Sequence, residues 1–169
     1  MGMDPDFRTA YLKKTRDIIA KAGWAVQGVL GSPQDGGGFS YTIGMTRTLK
    51  HPEIFMSGFD PELCRQLMND VGNLIREGFD FRNPSLCDRV IQNYNVAFRP
   101  VDPASVTEHG GVGLEILGQF EAVQMFLPDA EGRFPWVEGC DRRYADLQTS
   151  LIRTTGPVPG SEDHRMGLN

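Results

Sequence analysis

The chain has 169 residues, 17 Lys and Arg against 22 Asp and Glu, and a formal net charge of -5. That length fits one domain that buries about 70% of its unfolded surface without a disulfide or metal staple. The acidic balance disfavours nucleic acid, which needs an excess of Lys and Arg. No apolar run approaches the roughly 20 residues that span a bilayer, and the acidic start Met1-Gly2-Met3-Asp4-Pro5-Asp6 does not read as a secretory signal. A soluble, cytoplasmic domain is the expectation.

The first element is a helix over about Asp6 to Ala22. Tyr11, Ile18, Ile19 and Ala22 recur at helical spacing, and Gly23 stands where a helix terminates. Trp24 to Leu30 reads as a strand, Gly31 to Gly38 as a turn-rich loop, and Phe39 to Gly44 as a second strand. The two strands predict an antiparallel hairpin. Glu53 to Phe59 has strand length. Asp60 then caps a strongly amphipathic helix with Pro61 at its first position. Leu63, Cys64, Leu67, Met68, Val71, Leu74 and Ile75 fill one face of it, and Gly78 follows its end.

From Arg89 to Val101 one strand is expected, with Val90, Tyr94, Val96 and Phe98 on one face and Pro100 and Pro103 as bounds. Glu108 to Gly111 reads as a turn, and Val112 to Gly118 fits helix or strand. Phe120 to Leu127 reads as a strand, Pro128 to Arg133 as a turn, and Asp141 to Ile152 as a short helix. The expected architecture is an α+β domain with a largely antiparallel sheet and two or three helices. It spans 1–155 as a single globular unit, with 156–169 as a flexible tail.

Two stretches resemble a known family. The first is Phe39-Ser40-Tyr41-Thr42-Ile43-Gly44, then His51-Pro52-Glu53, then Gly58 and a helix. The second runs Gln124 to Asp129, then Gly132-Arg133-Phe134-Pro135-Trp136, then Gln148. Together they are similar to the signatures of the bacterial domain-of-unknown-function family 4262, over about Trp24 to Leu151. Leu127 departs from the family pattern, which leads us to expect a tryptophan before Pro128-Asp129. The resemblance implies a fold relationship and no activity.

His51 is the sharpest candidate for chemistry. It precedes a proline in a loop that enters a strand, and Glu53 lies two residues on. An imidazole oriented by a carboxylate serves as a general base. The plainer role for His51 is a hydrogen bond to a backbone carbonyl. Tyr41 is a candidate proton donor or stacking ring, and otherwise a core aromatic with its hydroxyl satisfied. These three residues form the expected catalytic set. Thr42, Gly44, Gln124, Asp129 and Trp136 are expected ligand contacts. Gly44 suits close approach of a ligand or a tight turn. Gln124 suits a substrate amide or a buried carbonyl. Phe134-Pro135-Trp136 suits a shallow groove or a lid over one end of the core.

No metal site is expected, because His51, His109 and His164 are scattered and form no HExxH or HxH pattern. The three cysteines, Cys64, Cys87 and Cys140, are odd in number and lack CxxC spacing, which disfavours a disulfide scaffold or zinc ribbon. Cys87 reads as lying in an exposed loop between Arg82 and Arg89. Gly36-Gly37-Gly38 lacks the GK[ST] and the following helix of a phosphate loop. The sequence names no cofactor and leaves enzymatic turnover open. Two functions remain. One is small-molecule binding in a pocket near His51, Tyr41 and Trp136, with acid/base chemistry as an extension. The other is a protein-protein interaction module presenting Phe134, Trp136 and an acidic surface. A homodimer is compatible with either.

Overall fold

The computed structural model describes residues 4–30 and 38–151. The expected glycine-rich loop falls largely, and the expected tail wholly, outside those residues.

Helix α1 (Pro5–Ala22) ends where Gly23 turns left-handed at φ 100° and returns its N–H to the Ile19 carbonyl. Leu12 and Thr15 are its buried residues, whereas Ile18 is 40% exposed. The helix lies against the sheet edge and α5, so only the narrow Leu12–Thr15–Ile19 stripe is covered. Strands β1 (Ala25–Val29) and β2 (Phe39–Ile43) form the expected antiparallel pair, with Ala25 opposite Ile43 and Val29 opposite Phe39. One turn of helix, α2 (Met45–Thr48), leads to β3 (Glu53–Ser57), which pairs antiparallel with β2. Helix α3 (Pro61–Arg76) is capped as expected, with the Asp60 carboxylate accepting from the Glu62 and Leu63 N–H groups.

Strands β4 (Ser85–Ile91) and β5 (Tyr94–Pro100) form a hairpin that turns at Asn93, where φ is 72°. Arg89 to Val101 is therefore not one strand. Asn tolerates this left-handed geometry, and that permits the reversal. Cys87 lies buried on β4, not in an exposed loop, and burial pushes its thiol pKa up. Helices α4 (Pro103–His109) and α5 (Gly111–Leu117) follow, and the stretch 112–118 is thus essentially helical. Strand β6 (Ala122–Phe126) and helix α6 (Arg142–Leu147) complete the described elements.

The six strands run in the order β1-β2-β3-β6-β5-β4. Only the β3–β6 contact is parallel; the other neighbours are antiparallel. The chain leaves β5, passes through α4 and α5, and returns β6 to the middle of the sheet. The fold class is α+β, as expected. The long helices are α1 and α3, and four shorter ones connect or close the sheet.

Helix α3 covers one face. There Leu67, Met68, Val71 and Ile75 pack with Ile54, Met56, Val96, Phe98, Val123 and Met125. The opposite face carries two clusters. Tyr41, Ile43, Phe55 and Phe120 lie under α1, α4 and α5. Ala97 and Phe126 lie under the segment that follows β6, which contributes Phe134 to the cluster and packs Trp136 against it. Strand alternation sets this division, since odd-numbered residues of β2, β3 and β5 face away from α3.

Candidate functional site

His51 enters β3 from the loop after α2 and is 3% exposed. Its Nδ1 lies 2.8 Å from the Pro52 carbonyl, and the Phe81 N–H donates to its Nε2 over 2.9 Å. A carbonyl requires Nδ1 to carry the proton, and an N–H donor requires Nε2 to be bare. The two contacts together fix the neutral Nδ1–H tautomer. Burial lowers the pKa of the ring; the Pro52 hydrogen bond and Asp80, 3.6 Å from Nε2, oppose that shift. Both ring nitrogens are engaged with backbone, so this geometry offers neither as a proton carrier.

Glu53 is fully buried, and its partners are not His51. Its carboxylate accepts from Thr42 Oγ1 (2.7 Å) and from the N–H groups of Gly44 (3.2 Å), Met45 (3.1 Å) and Thr46 (2.8 Å). Those three N–H groups open α2, so Glu53 caps that turn from the neighbouring strand. Burial pushes the Glu53 pKa up, against the downward pull of these donors. Thr42 completes the unit by accepting the Ile54 N–H at 2.9 Å. Gly44 is held at φ 126°, and a side chain there would meet the Gly23 carbonyl at 2.8 Å. A tight turn thus explains this glycine.

Tyr41 is fully buried on the far side of β2. Its ring stacks on Phe55 with centroids 4.7 Å apart, and its hydroxyl accepts the Gly113 N–H at 3.0 Å. Desolvation raises its pKa. Gly113 is needed there, because a Cβ would stand 2.9 Å from the Tyr41 ring. Tyr41 therefore joins an aromatic stack that docks α5, away from the His51 contacts.

Gln124 is fully buried and has every polar atom engaged. Its amide donates to Ser57 Oγ and the Thr149 carbonyl, and its oxygen accepts the Leu151 N–H. Asp129 accepts from the N–H groups of Glu131, Arg133 and Asp141 and from Arg133 Nε. Burial works to raise its pKa, but these donors outweigh it and bring the carboxyl down to about 2. Asp129 thus organises the loop that carries Phe134 and Trp136. Trp136 stacks on Phe134 at 5.2 Å and meets the edge of Phe126 at 5.0 Å.

The expected constellation is therefore dispersed. Tyr41, His51 and Trp136 occupy three separate environments. Of the three, His51 lines the larger cavity, of about 750 Å³. It opens where β3 and β6 begin and β5 finishes. Its walls include Lys50, Arg82, Gln119, Phe120 and Val106. Arg82 is braced by Asp80 and donates Nη2–H to the Lys50 carbonyl at 2.9 Å. Lys50 itself has φ 56°. This grouping has no local signal in the sequence, since its members come from separate connections joined only by the sheet. Among the described residues, no group of three or more His, Cys, Asp or Glu side chains could hold a metal.

A six-stranded α+β domain with a mixed-lining cavity where β3 and β6 begin is the class that fold and site define. The family described as Domain of unknown function (DUF4262) matches residues 18–141, and the chain belongs to it. No curated protein and no solved structure matches the chain. No described helix is long and apolar enough to cross a membrane.

Proposed function

We propose that this domain binds a small molecule in the cavity beside His51. The observation that carries the reading is the cavity itself. Its volume of about 750 Å³ suits a metabolite, and it combines the apolar Phe120, Val101 and Val106 with the polar Lys50, Arg82, Asn83 and Gln119. His51 acts as a wall of fixed tautomer that ties the Pro52 and Phe81 backbones together. No acid/base step is proposed through His51, Glu53 or Tyr41, whose polar atoms hold the fold. The interaction-module reading has less support, because Phe134 is buried and the exposed large apolar residues among those described, Phe7, Ile18, Leu30, Leu63 and Leu147, are spread over three helices and the end of β1.

Gln119 is exposed at the cavity wall, so Gln119→Trp fills the space without disturbing the core. Native mass spectrometry after incubation with a cellular small-molecule extract should show an adduct on the parent protein and none on the variant. An adduct of equal abundance on both, or none on either, contradicts the proposal.

A further inference from the structure

His51 Nε2 stands between two groups that make opposite demands on it. It accepts the Phe81 N–H at 2.9 Å, and an Asp80 carboxylate oxygen lies 3.6 Å away. The Phe81 N–H only donates and needs a bare nitrogen; the carboxylate only accepts and needs a protonated one. Nε2 takes up a proton only by giving up Phe81. Nδ1 keeps its own proton on the Pro52 carbonyl in either state. One proton therefore exchanges one partner for the other: the ring becomes imidazolium, the Phe81 bond breaks, and an Nε2–H···Oδ1 ion pair with Asp80 forms.

The exchange reaches the wall of the larger cavity. Asp80 Oδ1 already accepts the Arg82 N–H and Nε–H, both at 3.0 Å, so a third donor displaces one of them. Arg82 also holds the Lys50 carbonyl, and Arg82 and Asn83 line the cavity. Phe81 stays anchored, because its ring is buried and stacks on Phe98 with centroids 4.2 Å apart. The rearrangement thus falls on the exposed Asp80, Arg82 and Asn83, on either side of a fixed ring. The other charged groups nearby are Glu53, which is committed to Thr42 and α2, and Lys50 and Glu121, which line the cavity. Among the described residues the ion-pair contact of His51 is with Asp80. We infer that His51 and Asp80 form a proton-operated latch on the cavity wall, which holds Arg82 and Asn83 while the ring is neutral and releases them when it is charged. The latch is a property of the chain itself and does not require a small molecule in the cavity. Burial and Arg82 oppose the imidazolium and Asp80 favours it, which sets the switch below the ordinary histidine value of about 6.5.

A ¹H–¹⁵N titration from about pH 8 to about pH 4.5 tests the latch. The His51 ring nitrogens and the Phe81, Arg82 and Asn83 amides should shift with one midpoint, and exchange at the Phe81 amide should quicken below it. The Trp24 indole N–H, which donates to Asn69 Oδ1 at 2.9 Å, reports the intact fold and should stay in place. Asp80→Asn, at an exposed position, keeps the shape and removes the charge. It should lower the His51 midpoint by at least about half a pH unit. A ring that titrates while the Phe81 amide stays fixed overturns the inference. So does an unchanged midpoint in Asp80→Asn, a ring still neutral at the acid limit, or loss of the Trp24 signal together with the His51 transition.

Discussion

The Phe81 N–H donates to His51 Nε2 across 2.9 Å, and this bond ties the segment leading out of α3 to the loop that enters β3. It works only while the ring is neutral. Burial lowers the folded pKa of His51, whereas an unfolded histidine titrates near about 6.5. As pH falls, the unfolded chain takes up the proton first. The stability from the neutral ring is therefore complete above about 6.5 and is lost as pH falls through the lower folded value. Replacing His51 with Ala should cost about 2–4 kcal/mol at pH 8, from lost packing and an orphaned Phe81 N–H. Urea titrations at several pH values should show that cost shrinking on acidification. A cost that grows toward pH 5 would show that the charged ring is the favoured form.

The Glu53 cap is tested by removing its neighbour. Thr42→Val keeps the shape but deletes a donor to Glu53 and the acceptor of the Ile54 N–H. It should destabilise the protein by about 1–3 kcal/mol. Amide exchange at Gly44 to Thr46 should quicken, because those N–H groups depend on a well-placed carboxylate. Unchanged exchange there would mean that α2 is held by other contacts.

Gly72 offers a test in which local propensity and packing disagree. It lies inside α3, where Ala normally gains about 1 kcal/mol over Gly. Here a Cβ would stand 2.3 Å from Cζ2 of Trp24. Gly72→Ala should therefore destabilise the protein by about 1–3 kcal/mol, as overpacking does. Thermal unfolding that shifts upward instead would contradict the packing of Trp24 on α3.

The thiols of Cys64 and Cys87 are buried, and desolvation raises both pKa values. Raised pKa and low access both suppress alkylation. Iodoacetamide at pH 7.5 should label them only after unfolding, as read by peptide mass spectrometry. Rapid labelling of Cys87 in the folded protein would restore the exposed-loop setting that its sequence suggested.

Much of this fold is legible where local signals act alone. Asp60-Pro61 and the apolar stripe from Cys64 to Ile75 define α3, and Gly23 marks the end of α1. Helix α2 was not legible, because its cap comes from Glu53 on the next strand and not from a residue before it. Helix α4 did carry a readable start: Asp102-Pro103 repeats the pattern of Asp60-Pro61, and Asp102 accepts the Ala104 N–H. Taking Pro103 as a strand boundary hid it. At the site, spacing placed His51 and Glu53 on one face, but strand entry sends their side chains to different partners. The cavity walls at Lys50, Arg82 and Gln119 were not legible, since they meet only after β6 inserts beside β3.

Amide chemical shifts in a small-molecule fragment screen test the central claim most directly. For a cavity that binds ligands, the shifts should cluster at Thr46, Lys50, Asn83 and Val123 and vanish in Gln119→Trp. Shifts scattered over the surface, or a cluster that persists in the filled variant, would contradict the assignment of this cavity as the binding site.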